Sequence, residues 1–122
     1  MKPVILACTV LFVSAALLAG ADLHVGAAAA DFEADDSMHI GGSILPGQVQ
    51  GQEGKLRAVA VVLEKPGSGK FAIVACDVLM LTRDLLDPVC VQIEKETGIP
   101  RENILINCTH THHAPSTVKI HC

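Results

Sequence analysis

Two apolar runs joined by a stretch of turn residues constrain the fold of this chain more than anything else in it. Residues 56–63 read Leu-Arg-Ala-Val-Ala-Val-Val-Leu, and residues 71–76 read Phe-Ala-Ile-Val-Ala-Cys. Both runs are rich in β-branched side chains and too short for a buried helix, which predicts strands. Between them, Pro66, Gly67 and Gly69 supply turn geometry, so the two strands are expected to close as an antiparallel hairpin. Gly67-Ser68-Gly69-Lys70 is no phosphate loop: the glycine spacing is wrong, no Ser or Thr follows the lysine, and no helix opens after it.

Beyond Asp77 a helical pattern runs from about residue 79 to 97. Thr82 and Asp87 both suit an N-cap, Pro88 suits a first turn, and Gly98 suits a stop, which predicts a broken helix whose second part carries Val89, Ile93 and Glu96. Residues 104–106 (Ile-Leu-Ile), bounded by Pro100 and Asn103, read as a buried strand. Strand, helix and strand then close as a right-handed crossover between parallel strands. The fold class expected is α/β, as an α+β mixed sheet: an antiparallel hairpin followed by a strand-helix-strand unit. Residues 23–32 extend the sheet as a strand of small residues set close against other backbone, although their alanine run suits a helix equally.

The chemistry gathers after the last apolar run, in Asn107-Cys108-Thr109-His110-Thr111-His112-His113-Ala114-Pro115. A strand that ends in imidazoles places them at the carboxyl edge of a sheet, where open α/β sheets hold their ligands. In extended chain His110 and His112 share a face and His113 points away. Neutral imidazole is a frequent metal ligand and nitrogen suits zinc, so the cluster reads as a metal site; the plainer alternative is a polar, hydrogen-bonded loop. Cys108 ranks below His112 as a ligand because it belongs to the strand. The crossover brings Asp77 to the same edge, where it acts either as an acid behind a metal-bound histidine or as a cap of the following segment.

Residues 109–115 resemble the Thr-His-Thr-His-Ser-Gly-Pro segment of the neutral, non-lysosomal ceramidases, with His113-Ala114 in place of Ser-Gly. Gly26-Ala27-Ala28, Asp31 and the Gly41-Gly42 loop are also similar to the amino-terminal part of that family's catalytic domain. The resemblance implies a zinc-dependent amide hydrolase acting on a lipid or other N-acyl amide, with association at a membrane surface. It implies His110 as a zinc ligand and His112 as a second ligand or pocket neighbour; Asp77 and His113 are candidates for the shell behind them. The family draws its further ligands, a His, a Glu and a Tyr, from later in a longer chain, and this sequence has no Tyr. Residues 22–122 are therefore expected to be the amino-terminal portion of such a domain, inactive alone and completed by a missing carboxyl-terminal portion. The alternative is a non-enzymatic exported module that binds a metal or a partner through the histidine loop.

Export is read from residues 1–21, where Lys2, an apolar stretch and Ala19-Gly20-Ala21 form a signal peptide with its cleavage site, in preference to an uncleaved anchor. An oxidising destination permits pairing among Cys76, Cys90, Cys108 and Cys122 in any of three connectivities, although Cys76 and Cys90 also suit free, buried thiols. The chain of 122 residues carries a formal charge of -4 and no basic patch, which argues against nucleic acid as a partner. The acidic stretch 33–37 lacks the spacing of a calcium loop and reads as a solvated turn.

Overall fold

A computed structural model describes residues 22–42, 47–48 and 50–118. The targeting segment 1–21, His121 and Cys122 lie outside these residues. The described chain folds as a four-stranded mixed sheet, β1 (His24–Phe32), β2 (Leu56–Lys65), β3 (Gly69–Cys76) and β4 (Ile104–Cys108), in that spatial order. β1–β2 and β2–β3 pair antiparallel, and β3–β4 pair parallel across α1 (Arg83–Thr97) and a 3-10 turn (Arg101–Asn103). This is the expected α+β arrangement of a hairpin followed by a strand-helix-strand unit.

The hairpin closes where its turn chemistry lies. Pro66 and Gly67 occupy the centre of a turn closed by the Ser68 N–H on the Lys65 carbonyl at 2.9 Å, and Gly67 has φ 75°. Proline followed by a residue of positive φ is the pattern of a type II turn. The helix departs from expectation. It is continuous from Arg83 to Thr97 with Pro88 inside it, and Asp87 is a helical residue paired with Arg101 rather than a second N-cap. Pro88 is the sixth helical residue, so it lies past the first turn and removes one ladder bond, yet the helix continues through it. Gly98 ends the helix in the left-handed region at φ 70°, its N–H on the Glu94 carbonyl at 2.9 Å. No helix among the described residues is long and apolar enough to cross a membrane.

α1 covers one face of the sheet. The groove between it and β4 is lined by Leu86, Cys90, Ile104 and Ile106, and the neighbouring Ala72 of β3 is buried. On the opposite face Phe71 is 37% and Leu105 49% exposed, and β1 is exposed along nearly its whole length. A Cβ added at Gly26 would meet nothing within 4 Å, so the small residues of β1 do form a strand but do not pack against other backbone as expected. The buried apolar residues among those described are Ala72, Val78, Leu79, Cys90, Ile99 and Ala114. Three of them, Val78, Leu79 and Ala114, lie where the segment after β3 meets the segment after β4.

Candidate metal centre

β3 and β4 run parallel, so the segments that leave them emerge side by side. The Thr109 N–H donates to the Cys76 carbonyl at 2.9 Å, which extends the ladder by one step. Asp77 then fastens both neighbours. One carboxylate oxygen accepts the Arg57 N–H at 3.0 Å and the other accepts the Thr109 hydroxyl at 3.1 Å. With its only hydroxyl hydrogen committed there, Thr109 must accept from Thr111, whose oxygen lies 2.6 Å away. Among the described residues Asp77 makes no hydrogen bond to an N–H of α1 or to a histidine ring; it braces the base of the loop.

Residues 78–80, of which 79 and 80 were expected to open the helix, instead turn their carbonyls to the histidine segment. Val78 accepts the Thr111 N–H at 3.2 Å, Leu79 accepts from the His110 ring at 2.9 Å, and Met80 accepts the Thr117 hydroxyl. The glycine loop closes the other side. The Gly41 N–H donates to Ala114 at 2.8 Å, the Gly42 N–H donates to the His112 carbonyl at 3.1 Å, and the His112 ring donates to the Gly42 carbonyl at 3.1 Å. A Cβ at Gly42 would fall 2.4 Å from the His112 Cα, so only glycine permits this approach.

The loop is not the extended chain that the alternation argument assumed. β4 stops at Cys108, and His110 takes φ 62°, the one positive value at a non-glycine residue among those described. For a residue with a Cβ that region costs about 1–2 kcal/mol. The turn nonetheless brings the two rings together, with centroids 4.8 Å apart and planes at 81°. Both rings are held through Nδ1 to a backbone carbonyl, and a carbonyl can only accept. Each Nδ1 therefore carries its hydrogen, and Nε2 of each ring makes no hydrogen bond among the described residues. Metal-binding imidazoles are held in this way, by a hydrogen bond from the other nitrogen.

The donor set suits zinc but is partial. A catalytic zinc takes about three protein ligands, and among the described residues no cluster of three or more His, Cys, Asp or Glu forms here. His113 is exposed and lines a separate cleft of about 610 Å³ with Ala34, Ile40, Gln48, Gln50 and Gln52. It makes no hydrogen bond to His110 or His112 among the described residues. His39 is half-buried, pairs with Gln48 through its backbone, and gives its carbonyl to the Ser116 N–H at 2.7 Å. The acidic stretch is turn chemistry: Asp35 accepts from Ser37, and Asp36 accepts the Gly51 N–H at 2.9 Å.

Two contributors to the site were not read from the sequence: the carbonyls of Val78 and Leu79. The Gly41-Gly42 pair was a visible signal. A carbonyl that holds a ring leaves no mark in a side-chain pattern. Fold and site together define an α+β protein with paired imidazoles at the carboxyl edge of two parallel strands. No protein-family model matches the chain, and no curated protein matches it in sequence.

Proposed function

We propose that this chain carries the histidine loop of an exported zinc-dependent amide hydrolase of the neutral ceramidase type, with His110 as a zinc ligand. His112 is the second ligand, or the neighbour that orients the first. The observation that carries this reading is the shared tethering of both rings through Nδ1, His110 to the Leu79 carbonyl and His112 to the Gly42 carbonyl, which turns Nε2 of each ring to other partners.

 Each Nε2 is open to a metal ion or a proton donor, and the positive φ of His110 holds its ring in place at a conformational cost that a solvated loop has no reason to bear. Zinc bound at such nitrogens supplies Lewis-acid polarisation of an amide carbonyl and a water of lowered pKa. The residues of this chain do the positioning: the Leu79 and Gly42 carbonyls fix the rings, and Asp77 with Thr109 and Thr111 fixes the loop beneath them.

The substrate that fits this reading is a lipid or other N-acyl amide met at a membrane surface. His113, in place of the family's Ser, lines the neighbouring cleft, and Ala114 is buried behind it. Further ligands come from polypeptide beyond the described residues, which would also cover the bare face carrying Phe71 and Leu105. One observation favours the non-enzymatic module instead: among the described residues the loop is braced by Gly41, Gly42 and the segment after β3, with Val78 and Leu79 buried beneath it.

Zinc titration of the full chain by calorimetry tests the metal reading. Wild-type protein and His113→Ala should bind zinc, and His110→Ala should not. Binding that survives loss of both His110 and His112 would overturn the proposal. Cooperative unfolding with a zinc-dependent midpoint, and no amide hydrolysis once the further ligands are supplied, would favour the binding module.

A further inference from the structure

Cys76 and Cys108 are the last residues of β3 and β4, and they are partners in the parallel register. In-register residues of neighbouring strands project to the same face. Here it is the face carrying the alternate register pairs Ala72–Ile104 and Val74–Ile106. Neighbouring strands lie about 4.7–4.9 Å apart, inside the 4.4–6.8 Å range of Cα separations that a disulfide spans. Both thiols are free and half-buried, whereas Cys90 is buried within α1.

We propose that Cys76 and Cys108 are a reversible dithiol–disulfide pair that ties the ends of β3 and β4 together beneath the histidine loop. This inference does not rest on the metal reading. Burial, then the neighbouring Cys108, then Asp77 push the Cys76 thiol above its ordinary pKa. The oxidant is a small-molecule disulfide. One cysteine thiolate attacks it, forming a mixed disulfide and releasing one small thiol. The second cysteine thiolate attacks the protein sulfur of that adduct, forming the Cys76–Cys108 bond and releasing the second small thiol. The protein loses two electrons and two protons, and the reagent gains both.

The bond would act where the loop is anchored. Thr109 follows Cys108 and donates its N–H to the Cys76 carbonyl, and Asp77 follows Cys76 and accepts from the Thr109 hydroxyl. A cross-link there fixes the separation of the two segments that carry Asp77 and His110.

The full chain is equilibrated with oxidised glutathione, its remaining thiols are alkylated, and its peptides are mapped by mass spectrometry. Cys76 and Cys108 should be recovered cross-linked with Cys90 alkylated, and reduced glutathione should reverse the bond. Cys90→Ser should give the same cross-link. Chain unfolded in urea serves as the reference for unrestricted pairing and should lose the preference. A cross-link through Cys90, or glutathione adducts at Cys76 and Cys108 without a bond between them, would overturn the proposal.

Discussion

Replacing Gly42 by alanine tests how the glycine loop holds His112. The added Cβ would lie 2.4 Å from both the Cα and the Cβ of His112 and 2.5 Å from its Cγ. Two of these atoms are fixed by the backbone path, so a change of rotamer cannot relieve the overlap; the two segments must part. Parting them breaks two hydrogen bonds, Gly42 N–H to the His112 carbonyl and the His112 ring to the Gly42 carbonyl, both at 3.1 Å. At about 1 kcal/mol for each bond, with about 1–3 kcal/mol for displacing packed chain, the expected loss is about 3–5 kcal/mol. Gly26→Ala is the control, because its Cβ meets nothing within 4 Å and alanine restricts the unfolded chain. Urea unfolding of the full chain should show a lowered midpoint for Gly42→Ala and an unchanged or raised one for Gly26→Ala. Amide exchange at Gly42 should quicken in the first variant alone. Equal midpoints and equal exchange in the two variants would refute the reasoning.

Asp77→Ala removes the acceptor of the Arg57 N–H and of the Thr109 hydroxyl, and at about 1.5 kcal/mol or more for each bond to a charged group the loss should reach about 3 kcal/mol by urea titration. Pro88→Ala restores the N–H missing from the ladder of α1 and should stabilise the chain by up to about 3 kcal/mol, read as a raised urea midpoint, with greater helicity by circular dichroism. The Ser37 hydroxyl, and then its N–H, lower the Asp35 carboxyl below its ordinary value. A depressed folded pKa means that the turn is held in full above the ordinary carboxylate range, about pH 4, and is lost as pH falls through the lower folded value. Ser37→Ala should return the Asp35 titration, followed by carbon NMR, toward the ordinary value.

Much of this architecture is set locally and was legible in the chain. Residues 56–63 and 71–76 carry their strand preference in β-branched side chains, and Pro66-Gly67 carries its turn in backbone geometry. The parallel return of β4 follows because a helix-length segment separates two apolar strands, and that return brings Asp77 and His110 to one edge. Gly98 stops α1 because glycine takes the left-handed region without a steric penalty.

What remained was decided by contacts between segments far apart in sequence. Residues 79–82 have the pattern of a helix start, yet Leu79 and Met80 give their carbonyls to His110 and Thr117, and the helix begins only at Arg83. The acid at residue 77 had two readings on local grounds; the fold gave it a third, a brace between Arg57 and Thr109. The pairing of His110 with His112 was expected from strand alternation and arises instead from a left-handed turn closed against Gly42 and Leu79. Side-chain identity marks which groups can bind a metal. Which nitrogen is left free depends on carbonyls that any residue would supply, so only the tertiary path decides it.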